Sequence, residues 1–239
     1  MNSLPPIQLP ARLTAPVREL SALLESLYST RLLGLTVFGN ALDDGPSSDA
    51  ARAQSVMVLD RVDLAPLRGV SERAAMLGRR GLAAPLAMAP DDISASLDTF
   101  PLELIEIHQR RVTVRGRDFF ESLDVRTEHV RLQCEREFKR IIMRLRQGVL
   151  VAAGHESALA DLESDIGLHI LRTLRGMLWI KGVPQYQPPE AVVDQCARIV
   201  GRSLDGVRSA MNAGAGHGWE EIEALYVDIE ALAALADGK

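Results

Sequence analysis

Leu35-Thr36-Val37-Phe38-Gly39-Asn40, then eleven residues, then Arg52-Ala53-Gln54-Ser55-Val56-Met57-Val58-Leu59, is the stretch on which the fold turns. The first apolar run is short and bounded by Gly34 and Gly39, which predicts a buried strand closing on Gly39-Asn40. The segment ALDDGPSSDAARAQ is small, polar and turn-forming, and reads as a loop. Ser55–Leu59 then reads as a second strand ending at Asp60.

Working outward, residues 1–13 carry three prolines and read as an extended arm. Thr14 is the expected N-cap of a helix with Pro16 in its first turn. Val17, Leu20, Leu24, Leu27 and Tyr28 form its apolar stripe, and Gly34 is expected to end it. Downstream of the second strand, Leu64, Leu67, Val70, Ala74 and Leu77 predict a helix over 63–80, with Gly81 at its C-cap. Pro85–Met88 reads as a third strand, and Asp91 or Asp92 as the start of a short helix ending before Phe100-Pro101. Leu104–Ile107 and Val112–Val114 read as two further strands, the latter stopped by Gly116. Strands alternating with helices predict a layered α/β (α+β) domain, a mixed sheet with helices, over residues 14–125.

After Val125 only helical spacing remains. Val130, Cys134, Phe138, Ile141, Leu145 and Val149 mark a long helix, and Leu159, Leu162, Ile166, Ile170, Leu174, Met177 and Ile180 a second. Shorter helices follow near 190–200 and 203–211, then a last one carrying Trp219, Ile222, Leu225, Ile229 and Leu232. Residues 126–239 are therefore expected to form an all-α bundle of five helices.

Composition narrows the function classes. The 239 residues carry a net charge of −5, which offers no general attraction to nucleic acid or anionic membrane. The 24 arginines against three lysines, with abundant alanine, fit a GC-rich coding bias and imply no function. No apolar stretch reaches the roughly 18–20 residues of a membrane span, and MNSLPPIQLPARL lacks the pattern of a signal peptide. Cys134 and Cys196 form neither a metal-ligand spacing nor a disulfide framework, so a cytoplasmic location is expected.

The Val37–Leu59 segment resembles the signature of the nucleotidyltransferase fold shared with DNA polymerase beta and aminoglycoside nucleotidyltransferases. In that pattern a strand ends in Gly-Ser or Gly-Gly, and about ten residues later Asp-x-Asp opens the next strand. The glycine lets the backbone approach a triphosphate, and the two aspartates bind two Mg²⁺ that clamp the reacting phosphoryl group. Asp98–Ile107, Arg111–Gly116 and the run Val130–Glu137 with Met143–Gln147 resemble later parts of small bacterial proteins of this type, which end in a helical bundle. The resemblance covers roughly residues 14–236 and implies Gly39, Asn40, Arg52 and Gln54 as the nucleotide-binding positions.

The departures bear most on function. Counted without gaps, the two aspartate positions fall on Arg52 and Gln54, and Asn40 stands for the serine. An arginine about 5 Å from Mg²⁺ repels it by roughly 6–7 kcal/mol at an effective dielectric near 20, so no metal site and no catalytic residue is assigned. Asp43, Asp44 and Asp49 read as turn formers beside Gly45-Pro46. Asp49, with Glu103 or Glu106 on a later strand, is the set of displaced acids that an alternative, Mg²⁺-dependent transferase would use. Glu106 alternates with Ile105 and Ile107, which leaves its facing open. Arg136, Arg140 and Arg144 lie in one helical line and read either as an anion site or as a solvated face partly neutralised by Glu135 and Glu137. His169 is expected to pack in the core, as are Trp179 and Trp219, and no histidine pair has metal spacing.

The sequence, with that resemblance, therefore points to a non-catalytic or weakly catalytic nucleotidyltransferase-fold protein, needing no cofactor except Mg²⁺ under the alternative reading. Its expected partner is a nucleotide, a small molecule, another protein or a second copy of itself. A structural partner subunit of an intact enzyme is the remaining alternative.

Overall fold

The computed structural model describes residues 8–43, 52–212 and 218–237. Most of the proline-rich arm, the loop holding Asp44 and Asp49, and His217 lie outside the described residues. The chain divides into two compact units, Met1–Leu97 with Leu104–Asp124 and Asp98–Glu103 with Val125–Lys239.

The first unit is a four-stranded mixed sheet between helices. Helix α1 (Ala11–Tyr28) leads into β1 (Leu32–Phe38), then β2 (Gln54–Leu59), α2 (Leu64–Arg79), β3 (Leu86–Met88), α3 (Pro90–Ala95), α4 (Pro101–Gln109) and β4 (Arg111–Gly116). The strand order is β3-β2-β1-β4, with β1 antiparallel to both β2 and β4 and β2 parallel to β3. The two central strands are buried on both faces. On one face Leu35, Val37, Met57 and Leu59 pack with Leu20 and Leu24 of α1 and Val70 and Leu77 of α2. On the other, Phe38, Val56 and Val58 meet Ile93, Leu104, Ile107 and Phe120. Each such buried side chain contributes about 1.5–3 kcal/mol, so the sheet is the anchor of the unit.

Three local expectations are corrected. Leu104–Ile107 is not a strand but lies in α4, which opens at Pro101. Glu103, Glu106 and Gln109 recur at three-residue spacing, the polar stripe of a helix, and Pro suits a first helical turn. Glu103 and Glu106 are consequently helix residues. Gly34 does not end α1, because Ser29 does so at φ +51. Gly34 instead faces Gly116 across β1 and β4, where an added Cβ would stand 2.6 Å from the Arg117 carbonyl oxygen. Thr14 is no N-cap; α1 begins at Ala11, and the Thr14 hydroxyl lies 3.4 Å from the Pro10 carbonyl oxygen inside the first turns.

The second unit is helical over its main length: α5 (Thr127–Ala152), α6 (Glu156–Ile180), α7 (Pro189–Val200), α8 (Asp205–Met211) and α9 (Trp219–Ala236). Val130, Cys134, Phe138, Ile141 and Leu145 form the buried stripe of α5, as the spacing predicts. In α6 the stripe runs through Leu159, Ile166, Ile170 and Leu174 with Glu163 and Gly167, so His169 is exposed rather than packed. Its Nδ1 pairs with the Asp165 carbonyl at 2.7 Å. Trp219 is likewise 52% exposed, because it starts α9 beyond the packed part of the stripe. Burial pushes the thiols of Cys134 and Cys196 up to about 12, so both act as packing groups.

A buried carboxylate organises the end of this unit. Asp228 of α9 is 2% exposed and accepts the amides of Gly206 and Val207 at 2.9 and 3.2 Å, tying α8 to α9. Burial raises its pKa above the ordinary value, with the two amides and Arg202 opposing that shift. A raised folded-state pKa contributes stability that is complete below the unfolded value and is lost as pH rises through the folded one. Asp228→Asn keeps an acceptor for both amides and removes the charge. In urea melts it is therefore expected to gain relative to wild type as pH rises from 4 to 7. Asp228→Ala strands both amides and is expected to lose about 2–4 kcal/mol at any pH. A wild-type and Asn pair with parallel pH profiles contradicts the assignment.

Candidate functional site

The site is built where β1 ends and β2 begins. Gly39 leaves β1 at φ +93, a conformation open to glycine, and among the described residues no atom lies within 4 Å of where its Cβ would stand. Backbone conformation, not crowding, requires glycine here, and the main chain borders open space. A single 3₁₀ turn follows over Asn40–Leu42, closed by Leu42 N–H to the Gly39 carbonyl at 3.1 Å and Asp43 N–H to the Asn40 carbonyl at 3.0 Å.

Two arginines from distant parts of the unit pin this turn. Arg12 of α1 donates both terminal nitrogens to the Ala41 carbonyl at 3.1 and 2.9 Å. Arg110, between α4 and β4, donates to the Leu42 carbonyl at 2.8 Å and pairs with the Asp43 carboxylate at 2.9 Å. Its own carbonyl accepts the Gly39 amide at 3.0 Å. Charge-assisted bonds of this kind are about twice as strong as neutral ones, which fixes the turn before any ligand arrives.

Gln54 lies directly opposite Phe38 in the β1–β2 ladder, and Arg111 of β4 lies opposite Phe38 on its other side. Opposed residues of antiparallel strands have Cα atoms about 4.5–5.5 Å apart, so Gln54, Phe38 and Arg111 form one row beside Gly39. Arg111 is engaged by Asp118, its Nε lying 2.9 and 3.2 Å from the two carboxylate oxygens, and donates to the His108 carbonyl. Arg52 is exposed at the entry to β2. Its guanidinium carbon lies 3.9 Å from the Cβ position of Gly78, in the last turn of α2, where the negative end of the helix dipole favours a cation.

Not one residue of the four strands is an aspartate or glutamate. The strands flanking β2 offer Leu86, Ala87 and Met88 on one side and no acid on the other. Donors of this chemistry do not fit a pair of Mg²⁺ ions. Glu103 sits in the second unit, where its carboxylate takes Arg172 at 3.1 Å and the Gln133 amide at 2.8 Å. Glu106 is half-buried on α4 in the first unit.

The three arginines of the α5 line have different surroundings. Arg136 is exposed, Arg140 pairs with Glu137 at 2.9 Å, and Arg144 pairs with Asp165. Arg140 and Arg144 border a cavity of about 190 Å³ with Asp165 and His169. Arg12, Arg110 and Arg111 were not singled out by sequence. The Arg110-Arg111 pair ahead of a strand is the one local signal, and nothing in the sequence around Arg12 marks it.

No family model matches the sequence, and no curated protein sequence matches it. Among solved structures the chain is similar to spectinomycin adenyltransferase AAD(9) from Enterococcus faecialis, determined with ATP and spectinomycin, at 12% identity and a TM-score of 0.58. The alignment covers 93% of this chain and 98% of that one. The chain has the nucleotidyltransferase fold. The likeness spans both the sheet and the helical region. Among the described residues no helix is long and apolar enough to cross a membrane.

Proposed function

We propose that this nucleotidyltransferase-fold chain binds a nucleotide at the β1 exit without paired Mg²⁺ and serves as a binding or regulatory protein, not a transferase. One observation carries the reading: the sheet holds no carboxylate, and the two positions expected to hold metal carry Arg52 and Gln54. Phosphoryl chemistry in enzymes rests on positioning and on cation-centred charge stabilisation, so losing both acids removes catalysis before it removes binding. Gly39 and Asn40 keep a fixed backbone turn of the kind that receives phosphate. Arg52, exposed at the entry to β2, supplies a cation that suits a polyphosphate directly, while Arg12 and Arg110 hold the turn. The Mg²⁺-dependent alternative is weakened because Glu103 is committed to Arg172 and Gln133.

The test is a thermal-shift panel of nucleoside mono-, di- and triphosphates in chelator. ATP heads the panel because the solved adenyltransferase of this fold was determined with it. A nucleotide at a hundred times its Kd stabilises by about 2.7 kcal/mol, an upward shift of roughly 5–10 °C for a chain of this size. Absence of a shift with every nucleotide at millimolar concentration overturns the binding reading and favours a structural partner subunit.

A further inference from the structure

An apolar groove of about 600 Å³ runs between the C-terminal half of α5 and the start of α9, walled by Leu145, Val149, Trp219 and Ile222. Its lips carry side chains that project outward: Leu150 is 81% exposed, Trp219 52% and Val227 43%. A patch holding both an apolar hollow and apolar projections complements itself, which is what a two-fold interface requires.

The charges have the same property. Of the charged residues that line the groove, the one on α5 is basic, Arg146, and the one on α9 is acidic, Glu223. At the groove, Arg146 stands on one wall, bonded to the Tyr226 hydroxyl at 2.9 Å and paired with Glu230 at 3.5 Å, and Glu223 stands on the other, accepting the Trp219 indole N–H at 2.8 Å. A two-fold axis through the groove sets the basic wall of one copy on the acidic wall of the next, twice over. A small apolar ligand accounts for the hollow but leaves the projecting Leu150 and Val227 in water.

We infer that the α5–α9 groove is a homodimer interface whose occupant is the same groove of a second copy. The inference is independent of nucleotide binding. Sedimentation of the full chain between 1 and 100 µM is expected to give a dimer, and Leu150→Asp a folded monomer whose melting temperature no longer rises with protein concentration. Arg146→Glu and Glu223→Arg are each expected to weaken the dimer at least tenfold. Mixing the two single variants is expected to restore it, because a heterodimer then has opposite charges at both contacts. A monomeric wild type overturns the inference and leaves the groove to a small molecule or another protein. So does a dimer that Leu150→Asp does not disturb, or a mixture of the charge variants that stays monomeric.

Discussion

Arg52→Asp combined with Gln54→Asp is expected to give the protein at least a tenfold preference for ATP with Mg²⁺ over ATP with chelator. Residues 52 and 54 are two apart on an extended segment, so their side chains share a face about 6.6 Å apart, within reach of one ion pair bridging them. The substitution removes a repulsion of roughly 6–7 kcal/mol between a guanidinium and Mg²⁺ about 5 Å apart, and adds two attractions. A tenfold change needs only about 1.4 kcal/mol of that to survive solvent screening. Gain of metal-dependent affinity does not require gain of activity, because Asn40 also departs from the fold's usual hydroxyl. Equal affinity in both buffers for the double variant contradicts the placement of 52 and 54 at the metal positions.

The largest expected stability effect is at the glycine pair of the sheet. Gly116 has φ +67, and an added Cβ would stand 2.1 Å from the Leu33 carbonyl oxygen, a backbone atom of the neighbouring strand. Ala there meets both a left-handed conformation costing about 1–2 kcal/mol and an overpacking cost of about 1–3 kcal/mol. Gly116→Ala is expected to lose about 3 kcal/mol or more and to lower the Tm by roughly 6–12 °C. Gly81→Ala is the control: φ is +82 but none of the described residues lies within 4 Å of the added Cβ, so only the conformational part applies. Equal losses in the two variants contradict the close approach of β1 and β4.

What the sequence made legible follows from how local each signal is. The strands β1 and β2 announce themselves as short continuous apolar runs, because both faces are buried, and the helix α2 and the five bundle helices by periodicity, since burial on one side repeats within the element. Leu104–Ile107 misled because Leu-Glu-Leu-Ile-Glu-Ile satisfies an alternating pattern nearly as well as a three-residue one, and only Pro101 and Gln109 break the tie. Gly34 misled because a glycine after an apolar helical stripe usually ends it, whereas here its role is set by Gly116, far along the chain. The same distance hid the pinning of the site turn. Arg110 reaches Leu42 across 68 residues and Arg12 reaches Ala41 across 29, and beyond the Arg110-Arg111 pair neither bond leaves a local trace in the sequence. The absence of aspartate at 52 and 54, by contrast, is readable at once, because the nucleotidyltransferase pattern fixes where the pair belongs.

Isothermal titration of ATP into the wild-type protein, once with Mg²⁺ and once with chelator, tests the central claim most directly. The account predicts dissociation constants that agree within about twofold (roughly 0.4 kcal/mol), because no pair of carboxylates on the sheet recruits the metal. Binding at least tenfold tighter with Mg²⁺ would contradict it and assign the metal to acids outside the strands.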